Sequence, residues 1–168
     1  MNLQIKISTK GALLSGKAPQ VIQAGLDSFV TEAVNFLDGQ VKARTPQGVL
    51  GGQGGVISSI QTPPITGKGT PMVKGSVVSA HSYAAVIEKG RRPGKGMPPK
   101  GMLVRWIETK LGLSETEARK VEFVIRRSIG ITGFKGRHMF EKAATENQSV
   151  LDAMAGRYGL TIARELSE

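Results

Sequence analysis

Tyr83-Ala84-Ala85-Val86-Ile87-Glu88-Lys89-Gly90-Arg91-Arg92-Pro93-Gly94 is the stretch on which the reading of this 168-residue chain turns. An apolar run holding one carboxylate gives way to a loop of glycine, proline and arginine. Val77, Val78, Tyr83, Val86 and Ile87 read as strand and packing residues, whereas Gly90, Pro93, Gly94, Gly96, Pro98 and Pro99 continue neither a helix nor a strand. A packed element is therefore expected to end at Glu88 and to present a cationic loop.

Toward the N-terminus, Met72 to Ala80 alternates as a second strand would, and Gly55-Val56-Ile57-Ser58-Ser59-Ile60-Gln61 is the only strand-like run within the Gly/Pro-rich segment 45–71. Such short separations predict mostly antiparallel pairing. Before them, Ile22, Leu26, Phe29, Ala33, Phe36, Leu37 and Val41 recur at helical steps. This predicts a helix over 18–44, opened by Pro19 and closed ahead of Pro46. Residues 1–17 read as a short strand, Met1 to Ile7, and a polar link.

Beyond the loop, Met102, Leu103, Trp106, Ile107 and Leu111 predict a short helix closed by Gly112. Ser114 followed three residues later by Glu117 is a capping-box signature, opening a helix that carries Ala118, Val121, Ile125 and Ile129. Gly130, Gly133 and Gly136 are expected to interrupt the chain before a last helix from about His138. Segment 72–101 thus holds strands and the basic loop, and segment 102–168 holds helices. With no internal repeat and no linker-bounded second domain, residues 1–168 are read as one α+β domain: a small antiparallel sheet packed against the long N-terminal helix, with additional C-terminal helices.

Composition narrows the function. There are 22 glycines, roughly twice average usage, which predicts long irregular loops. There is no cysteine, so disulfides, thiolate–zinc sites and cysteine nucleophiles are excluded. No run of 18 apolar residues occurs and the start does not resemble a signal peptide, so a cytoplasmic origin and no membrane partner are expected. The net charge is +10, and two segments account for it. Residues 86–105 carry Lys89, Arg91, Arg92, Lys95, Lys100 and Arg105 against Glu88. Residues 119–142 carry seven cations against Glu122 and Glu141. Such clustering points to a polyanion or an acidic protein surface, beside the plainer reading of a solvated basic face.

No catalytic, cofactor or metal constellation is legible. Gly67-Lys68-Gly69-Thr70 fails as a phosphate loop because Thr62 stands where a glycine is needed and Gly69 follows the lysine. The Gly51–Gly55 cluster lacks the strand and helix of a dinucleotide fingerprint. His81 and His138 have no partner at ligand or triad spacing. Asp27, Asp38 and Asp152 fall within expected helices, which does not suit a metal-dependent nuclease. Glu88, beside Lys89, Arg91 and Arg92, reads as a structural ion-pair partner rather than a general base. Trp106, Tyr83 and Tyr158 form no stacking series. The helix bearing Arg119, Lys120, Arg126 and Arg127 is explained by core packing with charged outer faces as readily as by base readout. An enzyme is not expected.

The order of the pieces carries a resemblance. A long helix is followed by Arg44-Thr45-Pro46 and a glycine-rich loop, then Gly55 to Ile60, Lys74-Gly75-Ser76-Val77-Val78, Tyr83 to Gly90, and His138-Met139-Phe140-Glu141-Lys142-Ala143. In this order the chain resembles the small tail-component family of tailed bacteriophages, the neck, tail-completion and head-to-tail joining proteins, over about residues 20 to 150. The loop from Gly90 to Gly101 is more basic than the family pattern, and residues 102–130 supply two helices where many relatives have a shorter connection.

The resemblance implies a non-enzymatic virion protein, assembled in the host cytoplasm. It implies a homo-oligomeric ring, a hexamer, between connector and tail-tube or terminator proteins, around packaged DNA contacted without sequence preference. On that reading Arg91, Arg92, Lys95, Lys100 and Arg105 are the DNA-channel or inter-ring contacts, and no cofactor is needed. The alternative from the residues alone is a nonspecific DNA-binding protein acting outside the virion.

Overall fold

A computed structural model describes residues 16–47 and 55–167, which group into two compact units. The expected strand at residues 1–7 lies outside the described residues. The α+β class holds, with helices predominating.

The first unit contains residues 16–38, Thr62–Val77 and 144–167. Its frame is helix α1 (Ala18–Arg44) together with the last helix, α7 (Gln148–Ser167). Small residues set the close approaches. A Cβ on Gly25 would lie 2.4 Å from Ile162 Cγ1, and one on Gly75 would lie 2.4 Å from Val34 Cγ2. The sequence stripe on α1 omitted Val34, yet Val34 is buried while the expected core residue Ile22 is exposed. Gly75 explains the first of these, because its missing side chain lets the 62–77 segment sit on Val30 and Val34.

Phe29 meets Tyr158 edge-on at 6.0 Å. Beside that contact, Arg157 Nη2 lies 2.5 and 2.6 Å from the two carboxylate oxygens of Glu32, and the Tyr158 hydroxyl donates to Oε2 at 2.7 Å. The Tyr158 hydroxyl first, and then the Arg157 guanidinium, hold the Glu32 carboxyl below the usual carboxylate range. A depressed folded-state pKa gives stability that is fully present above the unfolded value of about 4.3 and is lost as pH falls through the folded value. The thermal midpoint of the wild type should therefore exceed that of Glu32→Gln at pH 6, and the gap should close toward pH 3. A gap that stays constant over that range would remove Glu32 as its source.

The second unit contains residues 39–47, 55–61 and Val78–Ala143. The end of α1 enters its core through Val41, and the Thr45 hydroxyl closes the helix by donating to the Val41 carbonyl at 2.7 Å. Helices α4 (Val104–Leu111) and α5 (Glu115–Thr132) pack through Val104, Ile107 and Ala118, flanked by Leu103, Leu113, Val121 and Ile125. Gly112 ends α4 in the left-handed conformation, and Ser114 with Glu117 forms the expected capping box of α5.

Several sequence expectations are corrected. Gly55 to Gln61 is not a strand: Gly55–Ser58 forms the helical turn α2, and only Ile60–Gln61 is extended, as β1. From 72 to 80 only Val78–Ser79 forms a strand, β2, which pairs antiparallel with β1. Lys74 instead bridges Thr66 in the first unit. Tyr83 to Glu88 is not a strand either, because Ala84–Lys89 is helix α3. Two alanines, a glutamate and a lysine outweigh Val86 and Ile87 in local preference.

Gly90, expected to end all regular structure, begins strand β3 (Gly90–Arg91), whose partner is β4 (Phe134–Lys135). Gly130 does not interrupt α5, which runs on to Thr132. The last helix is two: α6 (Met139–Thr145) and α7, with Asn147, a residue type favoured just before a helix, ahead of Gln148. Among the described residues no helix is long and apolar enough to cross a membrane.

Candidate polyanion-contact surface

Helix α3 brings Glu88 to the start of α6. The Glu88 Oε2 accepts from the Phe140 N–H and Oε1 from the Glu141 N–H, both at 3.1 Å. The main chain is joined beside them, with Arg137 N–H donating to the Ile87 carbonyl at 2.8 Å and His138 N–H to the Glu88 carbonyl at 3.0 Å. The expectation that Glu88 is a structural ion-pair partner is corrected in its partners. They are two backbone N–H groups that a helix start leaves unsatisfied, rather than a neighbouring lysine or arginine. His138, with φ 53°, makes the turn into α6, and its Nδ1 lies 2.8 Å from Glu141 Oε2. His81 Nδ1 accepts from the Tyr83 N–H at 3.1 Å.

Past Glu88, the β3–β4 ladder is built on two backbones too close for side chains. Gly90 has φ 77° and Gly133 has φ 65°, and a Cβ on Gly133 would lie 2.1 Å from the Arg91 carbonyl oxygen. Residues 43 positions apart in sequence are thereby placed side by side, Arg91 opposite Phe134.

The basic loop that follows is fastened at several points. Arg91 Nη2 donates to the carbonyls of Lys95 and Gly96, at 2.7 and 3.0 Å. Gly94 N–H donates to the Gly130 carbonyl at 2.9 Å, and Arg126 Nε to the Pro98 carbonyl at 2.7 Å. Pro98 is fully buried, and the bare Cα of Gly130 makes room for the Gly96 carbonyl.

The five cations picked from sequence therefore divide. Arg91 is half-buried and holds its own loop, while Arg92, Lys95 and Lys100 stand exposed on that loop. Arg105 is also exposed, but it belongs to α4. The contact set read from sequence leaves out two cations that the ladder brings in, although both belong to the basic segments. Lys89, at the end of α3, and Lys135, on β4, line an open groove of about 460 Å³ with Arg91 and Arg92, and no carboxylate lines it. A neighbouring cleft of about 530 Å³ is lined by Tyr83, Trp106 and Phe134 with Lys135 and Arg137. Tyr83 and Trp106 thus do converge, with Phe134 in place of Tyr158. The outer side of α5 leaves Phe123, Val124 and Ile131 exposed beside Lys120 and Arg127.

Among the described residues no group of three or more histidine, aspartate or glutamate side chains is placed to hold a metal ion. What this surface offers chemically is fixed positive charge, a means of accommodating phosphates or carboxylates. Comparison with protein-family models, with curated proteins and with solved structures found no match to the chain.

Proposed function

We propose that this protein is a structural subunit of the head-to-tail interface of a tailed bacteriophage, a ring-forming neck or tail-completion component that joins the capsid connector to the tail around the DNA channel. The observation that carries the reading is the Glu88 junction. Tyr83–Gly90 and His138–Ala143, two of the segments on which the family resemblance rests, are separate in sequence but are hydrogen-bonded to each other through the Glu88 carboxylate and the carbonyls of Ile87 and Glu88. The motif order thus corresponds to one physical assembly, which supports treating those pieces as a set.

The surface supports the same reading. The exposed Arg92, Lys95, Lys100 and Arg105 supply positive charge with no base-reading element. The exposed Phe123, Val124 and Ile131 on α5, beside Lys120 and Arg127, supply an apolar face that a neighbouring subunit of such a ring would cover.

Negative-stain imaging and native mass spectrometry of the purified chain test this. Closed rings, with weak DNA affinity for the isolated subunit at physiological salt, are expected. A stable monomer that binds duplex DNA at submicromolar affinity under those conditions would replace this reading with that of a DNA-binding protein acting outside the virion.

A further inference from the structure

We infer that the groove between β3 and β4 is a phosphate-contact site for duplex DNA, and that Lys89, Arg92 and Lys135 are its charge-bearing residues. The inference rests on the head-to-tail reading for the identity of the polyanion, though not for the existence of the groove. Its lining carries four cations and no carboxylate, in a chain whose other cations include several committed to acids or carbonyls. Arg119 and Arg157 pair with Glu115 and Glu32, and Arg126 is bound to a carbonyl. Lys89, Arg92 and Lys135 are exposed, and no hydrogen bond or ion pair involves their side chains among the described residues.

The site is built rather than accidental. Three cations of one short stretch converge with a fourth from position 135 only because Gly90 and Gly133 let two backbones meet. Arg91 divides its labour: its Nη2 is taken by the loop carbonyls, so it fixes the groove wall while the other three remain available. Pro93, Thr132 and Phe134 also line it, and the Phe134 ring can lie against a sugar, while the Thr132 hydroxyl is taken by the Ser128 carbonyl at 2.8 Å. An open trough lined by four cations and no carboxylate suits the repeated charge of a phosphate backbone.

The test is the salt dependence of binding to a labelled 30-base-pair duplex, read by fluorescence anisotropy at low salt, where weak binding is measurable. Each phosphate neutralised contributes about 0.9 to the slope of log K against log salt. Lys89→Gln/Arg92→Gln/Lys135→Gln should therefore flatten the slope by about 2.7. A control with the same charge change, Lys17→Gln/Lys110→Gln/Arg164→Gln, should flatten it far less. All six side chains are exposed, and matching circular dichroism melts verify folding.

Equal flattening by both triple variants would overturn the site, since diffuse charge would then suffice. So would an unchanged slope in the groove variant, or binding of polyglutamate in preference to the duplex. Tighter binding of a single strand than of the duplex would also overturn it, by moving recognition to the Tyr83–Trp106–Phe134 cleft. None of these outcomes bears on whether rings form, so the failure of this inference and the failure of the head-to-tail reading are separable.

Discussion

Replacing Gly133 by alanine is expected to destabilise the second unit by about 3 kcal/mol, the sum of the left-handed backbone cost and the cost of overpacking. At φ 65°, any Cβ meets the Arg91 carbonyl oxygen at 2.1 Å and the Arg92 carbonyl carbon at 2.9 Å. These are backbone atoms of β3 and of the residue that follows it, and cannot rotate away as a side chain could. Gly94→Ala is the matched control, because Gly94 has φ 74° but nothing within 4 Å of its Cβ position. It should cost only the conformational part, about 1–2 kcal/mol. Urea denaturation gives both values, and hydrogen exchange at residues 90–93 and 133–136 locates the loss. If the two variants were equally destabilised, close approach of β3 and β4 would not be what requires Gly133.

The second large effect is expected at Glu88. Glu88→Ala removes both carboxylate acceptors from the first turn of α6, including the one that serves the N–H of half-buried Phe140. Hydrogen bonds to a charged acceptor are each worth about 1.5–3 kcal/mol, and loss of a helix-capping side chain costs about 0.5–2 kcal/mol, so a loss of about 2 kcal/mol is expected. Glu88→Gln keeps one acceptor oxygen and the shape of the side chain, and should recover roughly half of it. An ion-pair role would predict something different: Glu88→Gln as damaging as Glu88→Ala, with strong relief by salt. Stability of the two variants at low and high salt decides between these accounts.

Local signals were sufficient wherever an element is determined by its own residues. The long helix was legible from its apolar steps and Pro46, α4 from Gly112, and α5 from the reciprocal Ser114–Glu117 cap. They failed where distant segments decide. Tyr83 to Glu88 is a short apolar run whose period fits either conformation, and its helix ends where Gly90 joins Phe134–Lys135, a partner no local pattern names. Gly130 looked like a breaker because the use of its missing side chain, room for the Gly96 carbonyl, lies 34 positions away.

The site divided along the same line. That Arg92, Lys95, Lys100 and Arg105 are exposed followed from the composition of their surroundings. The diversion of Arg91 into loop carbonyls and the arrival of Lys135 beside Lys89 are products of tertiary pairing, and nothing in the order of residues announces them. Gly133, three positions before Gly136 and preceding an aromatic, was the available hint of a tight backbone crossing.

The fastening of the basic loop has a consequence for how such a surface can diversify. Every bond that holds it ends on a main-chain group: the carbonyls of Lys95, Gly96, Pro98 and Gly130 accept, and Arg91, Arg126 and the Gly94 amide donate. The side chains at positions 92, 95 and 100 take no part. Their identity is therefore free to drift without penalty to folding, so the electrostatic character of the loop can be rewritten for a new neighbour while the bracket that displays it stays the same.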